Sequence, residues 1–177
     1  GKTSLINTSI GLEFKDKLES TQSSSIMQKK LIINGKTYTI NLWDTIGQEQ
    51  FRSLTKIFMK GARIVIFVYD ITRRETFEQL NFWLDNTKEV LGNKPILGIV
   101  GNKMDCYEQE EVSEEEAKEY AKSINAIFML TSAKTGDNVD VLFETLTRKY
   151  LGPDFIKKVQ EMKQDKGETT KITKERI

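Results

Sequence analysis

Four short stretches of the chain hold residue types suited to one kind of chemistry. The chain opens GKTSL, residues 41–51 read NLWDTIGQEQF, residues 101–105 read GNKMD and residues 131–134 read TSAK. Gly-Lys-Thr ahead of a helical pattern (Leu5, Ile6, Ile10) matches the end of a phosphate loop, G-x-x-x-x-G-K-[ST]. In such a loop Lys2 reaches the outer phosphates, Thr3 ligates magnesium and the helix N-terminus favours negative charge. Asp44 closes a strand pattern downstream of GKT, as a magnesium-holding acid would. Gly47 has no side chain to block a terminal phosphate from its N–H, and Gln48 can orient an attacking water. The Asp105 carboxylate can accept from both N1–H and the exocyclic amine of guanine, a bidentate pairing adenine does not supply. Asn102 can bond the ring edge or neighbouring loops, the Lys103 stem can cover the base face, and the Ala133 N–H can contact the guanine oxygen. Each motif alone has a bland alternative: a solvated turn for GNKMD, a buried strand and turn for the Asp44 region. SAK by itself says almost nothing.

Composition narrows the chemistry further. The chain has 177 residues, of which 27 are basic and 26 acidic, for a net charge of +1. That balance leaves no electrostatic footprint for nucleic acid. With no histidine, the usual general base and the commonest metal ligand are both absent. A metal would be held by hydroxyls, carboxylates, phosphates and water. The single cysteine, Cys106, cannot form an internal disulfide, which suits a reducing, cytosolic compartment. No run of 18 apolar residues reads as a membrane span, and the first residues lack the apolar core of a signal peptide. A chain of this length forms one domain that buries roughly 70% of its unfolded surface.

The elements that must position these residues alternate between strands and helices. MQKKLIING and KTYTINLWD flank Asn34-Gly35, a strong two-residue hairpin signal. In the second run Tyr38, Ile40 and Leu42 face one way, and Thr37, Thr39 and Asn41 the other. RIVIFVYD, KPILGIVGNK and NAIFMLTSA are nearly continuous apolar runs, as in parallel strands covered on both faces. Leu80, Trp83, Leu84, Thr87 and Leu91 recur at helical spacing, as do Val139, Leu142, Phe143, Leu146 and Tyr150. Ser113-Glu-Glu-Glu116 is a capping box for a third helix. This alternation predicts a doubly wound α/β sheet, whose ligands sit at the carboxyl ends of the strands. From Pro153 onward Lys, Glu, Asp and Thr dominate, so residues 153–177 read as a polar tail, partly helical or disordered.

Taken together, GKT, DTxGQE, NKxD and SAK in this order resemble the Ras-like small GTPases. WDTIGQEQFRSL, FMKGA and VYDIT are similar to the stretches typical of the Rab family. The resemblance covers about residues 1–152. It implies a three-layer P-loop NTPase fold: a mostly parallel twisted sheet with one antiparallel hairpin strand, and helices on both faces. It also implies a switch that binds GTP and GDP with Mg2+ and hydrolyses GTP slowly, with a partner's arginine supplying most of the acceleration. By the resemblance, Gly1, Lys2, Thr3, Ser4, Thr21, Gly47, Asn102, Lys103, Asp105, Ser132, Ala133 and Lys134 contact nucleotide. Thr3, Thr21 and, through water, Asp44 serve the metal, and Gln48 is the catalytic residue. Ile26, Trp43 and Phe58 match a surface triad that meets effectors; core packing is the plainer alternative for Trp43 and Phe58. Effectors, an exchange factor and a GTPase-activating protein would bind through the two switch regions, in vesicle traffic.

Three features depart from the family pattern. Ile46 stands where Ala or Gly is usual, beside the expected γ-phosphate, and is expected to slow hydrolysis or alter the switch. QSSSI replaces the usual Ile-Gly-x-x-Phe after Thr21, so switch one is expected to order differently. The chain ends KERI with no cysteine pair, so membrane contact is expected only through a lipid anchor not visible here. Such an anchor would place it on the cytosolic face of an intracellular membrane. In the family a strand and the first half of the phosphate loop precede the position of Gly1; a chain truly beginning at Gly1 is expected to expose two neighbouring strand edges and apolar surface, and so to fold poorly or pair aberrantly. Ile46 and the altered switch one favour a second reading, a pseudo-GTPase acting as an interaction module. An adenine-nucleotide kinase is a distant third, because NKMD would then have no purpose.

Overall fold

A computed structural model describes residues 1–15, 25–45 and 59–153 of the chain. In chain order the elements are α1 (Lys2–Ser9), β1 (Ser25–Ile33), β2 (Lys36–Asp44), β3 (Ile64–Asp70), α2 (Arg74–Glu78), α3 (Leu80–Leu91), β4 (Ile96–Asn102), a 3-10 turn (Met104–Gln109), α4 (Glu114–Ser123) and β5 (Ile127–Thr131). A final helix, α5, covers residues 139–153.

Local chemistry explains the hairpin. Asn34 and Gly35 both take positive φ, 51° and 70°, as a two-residue primed turn requires. The turn fixes the antiparallel register from Ser25 opposite Asp44 to Ile33 opposite Lys36. Lys29, Leu31 and Ile33 of β1 and Leu42 and Asp44 of β2 are buried, while the intervening residues are exposed. The predicted alternation is therefore the one observed.

β3, β4 and β5 form a parallel sheet in that order, with Asp70, Asn102 and Thr131 side by side in one row at its carboxyl end. Two hydrophobic clusters cover its faces. On one, Val100 packs with Leu5 and Ile6 of α1, Leu142, Phe143 and Leu146 of α5, and the inner face of the hairpin. On the other, Phe67, Tyr69 and Ile99 pack with Leu80 and Leu84 of α3 and Ala117 and Ala121 of α4. Each fully buried Leu or Ile contributes about 2 kcal/mol. Of the two helical patterns, only Tyr150 departs from the expected core, standing 49% exposed. Ser113 caps α4 by accepting from the Glu116 N–H at 3.2 Å.

The hairpin and the parallel strands are two separate sheets among the described residues. Between β2 and β3 lies a cavity of about 740 Å³, lined by Tyr38, Ile40, Ile64, Ile66, Val68 and Phe143 among others. No helix among the described residues is long and apolar enough to cross a membrane.

Candidate functional site

The carboxyl ends of β2, β3, β4 and β5 and the start of α1 converge on one place. A Cβ added at Gly1 would lie 3.0 Å from Asn102 Nδ2 and 3.7 Å from Val68 Cγ1. The phosphate-loop residue and the NKMD motif, a hundred residues apart in the chain, are thus in contact. The Thr3 hydroxyl donates to Asp44 Oδ2 at 2.8 Å, joining the start of α1 to the end of β2. Thr8, one helical turn beyond Ser4, donates its hydroxyl to the Ala133 carbonyl at 2.6 Å, which ties α1 to the TSAK loop.

Around NKMD and TSAK the side chains are held by one another. The Ser132 hydroxyl donates to Asp105 Oδ1 at 2.6 Å, and Ser132 also accepts from the Thr135 N–H at 3.1 Å. Burial pushes the Asp105 carboxyl up, but the bonds from Ser132, its own backbone and Cys106, with Lys134 nearby, outweigh it and leave the group below the usual range. The folded form therefore favours the ionised carboxylate, and that contribution is present above the ordinary carboxylate pKa and lost as pH falls through the depressed value. Asn102 is buried; its Oδ1 accepts from Thr131 Oγ1 at 3.2 Å and from the Ala133 N–H at 3.0 Å. Ala133 is 2% exposed and its N–H donates to Asn102, because a buried N–H needs a partner. Asn102 thereby bonds the neighbouring loop, one of the two kinds of partner its motif allows.

Around Lys2, Thr3 and Asp44 the polar groups are less satisfied. Asp44 is 1% exposed, and its Oδ1 has no hydrogen-bond partner among the described residues. Burial pulls the Lys2 ammonium below the usual lysine range, with Asp44 opposing that shift. Thr3 and Asp44 supply a hydroxyl and a carboxylate with an uncommitted oxygen, a donor set that fits magnesium, which takes few protein ligands and completes its shell with phosphate and water. No group of three or more His, Cys, Asp or Glu among the described residues offers an alternative metal cage.

The remaining assigned residues fall into two groups. Ser4 is half-buried on α1 and Lys134 is exposed in the TSAK loop. Ile26 and Trp43 are cross-strand partners, 55% and 46% exposed, so Trp43 is a surface residue and not a core one. Thr21, Ile46, Gly47, Gln48 and Phe58 lie outside the described residues. The sequence reading missed Thr8, Thr131 and Asp70. For the last two a signal existed: each ends an apolar run at the same level as Asn102.

Comparison with known proteins supplies the class. The Ras family profile matches residues 1–152, and the chain belongs to that family. Its relatives make it a Rab-type small GTPase. It is 41% identical over 151 residues to the Ras-related protein Rab-21 of Geodia cydonium, covering 85% of this chain and 66% of that protein. Against human Rab-21 the identity is 38% over 151 residues, with 85% and 67% covered. RabQ of Dictyostelium discoideum is 32% identical over 151 residues, with 85% and 74% covered. The chain thus spans about two thirds of the length of the Rab-21 proteins it matches.

Proposed function

We propose that the chain is a guanine-nucleotide switch that binds GTP and GDP with Mg2+, hydrolyses GTP slowly and acts through effector proteins in vesicle traffic. The observation that carries this reading is the convergence of Gly1–Thr3, Asp44 and NKMD at one end of the sheets. Asp105, ionised and steadied by Ser132, accepts from two guanine N–H groups. The stem of Lys103 covers the base, Lys2 holds the outer phosphates, and the N–H groups at the start of α1 face their charge. Thr3 and Asp44, with Thr21, hold magnesium, which when bound neutralises phosphate charge. Gly47 offers its N–H to the terminal phosphate, Gln48 orients water, and Ser4 and Lys134 complete the nucleotide contacts.

Phosphoryl transfer of this kind needs positioned charge more than a general base, so the absence of histidine is no obstacle. Release of the two switch segments after hydrolysis would be the signal read by partners. Effectors would meet Ile26, Trp43 and Phe58, and an exchange factor and an activating protein would act on the same switches. Any membrane contact would come through a lipid anchor.

Ile46 supports a slower or altered cycle, because a β-branched side chain replaces a small one next to Gly47. Single-turnover GTP hydrolysis of the parent chain and of Ile46→Ala tests this: the alanine variant should be several times faster. Equal rates would sink the role given to Ile46. Bound GTP that neither chain hydrolyses would favour the pseudo-GTPase reading.

A further inference from the structure

We infer that Asp70 is a positioning residue of the nucleotide site: it anchors the Lys103 ammonium so that the lysine stem stays over the base, prolonging the residence of a guanosine phosphate. The inference deepens the function proposed above and rests on it. Lys103 follows the last residue of β4 and takes φ 70°, ψ 35°, a conformation that L side chains rarely adopt. That backbone turns the side chain back towards β3, where its Nζ lies 2.6 Å from Asp70 Oδ2. Lys103 is 48% exposed and Asp70 only 14%, so the flexible partner is held by the buried one.

Asp70 is itself fixed from several directions. Its Oδ1 accepts from the Thr72 N–H at 3.0 Å and from Thr72 Oγ1 at 2.7 Å. Its backbone N–H donates to Thr76 Oγ1 at 2.9 Å, and β-pairing sets it directly opposite Asn102. The carboxylate thus has one oxygen committed to the β3–α2 turn and the other to Lys103. Burial pushes the Asp70 carboxyl up, yet the bonds from Lys103 and Thr72 bring it below the usual range, so the anchor is anionic. Freed from Asp70, the four-carbon stem of Lys103 would sample many rotamers over the base instead of one.

The test is release of GDP bearing a fluorescent N-methylanthraniloyl label, chased with excess unlabelled GDP. Asp70→Asn keeps an oxygen for Thr72 but loses the charge, and should speed release about fivefold, the scale of a partly exposed ion pair. Asp70→Glu, which keeps the charge, should fall between Asn and the parent. Lys103→Met keeps most of the stem but no ammonium; adding Asp70→Asn to it should change the rate no further. A merely structural role for Asp70 would speed release equally in both backgrounds, and that additivity would overturn the inference. So would an unchanged rate for Asp70→Asn. If Asp70→Asn does not fold, as judged by its circular dichroism, an unchanged rate for Lys103→Met overturns it instead. A parent chain that binds no labelled GDP would remove the function and this inference together, whereas a binding parent with an unaffected Asp70→Asn removes the inference alone.

Discussion

At the base-reading end Asn102, Thr131, Ala133, Asp105 and Ser132 hydrogen-bond one another, whereas at the phosphate end Asp44 keeps a buried oxygen without a described partner and Lys2 sits desolvated. On the function proposed above, the contrast follows from what each end would recognise. A base edge is read by direction, so its reader gains from being locked before binding. Phosphates and a metal bring their own oxygens and charge, so the protein there leaves capacity to be filled. On this account, damage at the base end should cost discrimination and stability, and damage at the phosphate end should cost metal dependence.

The largest effect should come from Asp105→Asn, which replaces an acceptor pair with one acceptor and one donor. GDP affinity should fall about a hundredfold, or ~2.7 kcal/mol, with a much smaller loss of fold stability, as calorimetric titration and a thermal melt would show together. A comparable loss of fold stability would instead mean that Asp105 serves mainly to hold the Ser132 loop.

Gly101→Ala should act the other way, on the fold first. Its Cβ would meet Leu130 Cδ2 and Tyr69 Oη, each at 2.7 Å, and overpacking of this kind costs about 1–3 kcal/mol. Chemical denaturation would read that loss directly. A neutral result would mean that β4 and its neighbours shift freely, contrary to a locked base-reading end.

Thr131→Val should give the smallest effect. It leaves Asn102 Oδ1 still bonded to the Ala133 N–H and removes one buried hydrogen bond, worth about 1 kcal/mol. A melt should fall by a few degrees while GDP binding weakens less than about threefold. A larger loss of binding would show that Thr131 touches the nucleotide itself.

How much of this was legible in the sequence depended on the distance over which the cause acts. The hairpin was readable because Asn34-Gly35 sets it locally, and α4 because Ser113 and Glu116 stand three residues apart. NKMD was readable as a candidate because its residue types suit one base. For Asn102 a bond to a neighbouring loop was readable but its particular partner was not, since that depends on the register that places Thr131 beside it. Lys29 shows the same limit: the strand alternation puts it on the inner face, but its partners, the Ser9 carbonyl at 2.5 Å and Asp140 at 2.7 Å, come from α1 and α5. Asp70 looked like an ordinary strand end until β3 and β4 were aligned. Pairings between distant segments are written in packing, and a single sequence does not spell them out.

The most direct test of the account is calorimetric titration of the chain with GDP and with ADP, each in magnesium and in excess chelator. The account predicts that GDP binds, that ADP binds at least a hundredfold more weakly, as two lost charge-assisted hydrogen bonds imply, and that chelation weakens GDP. Equal affinity for the two nucleotides, or no binding of either, would contradict the assignment of Asp105 as the reader of the base and of Thr3 with Asp44 as the metal pair.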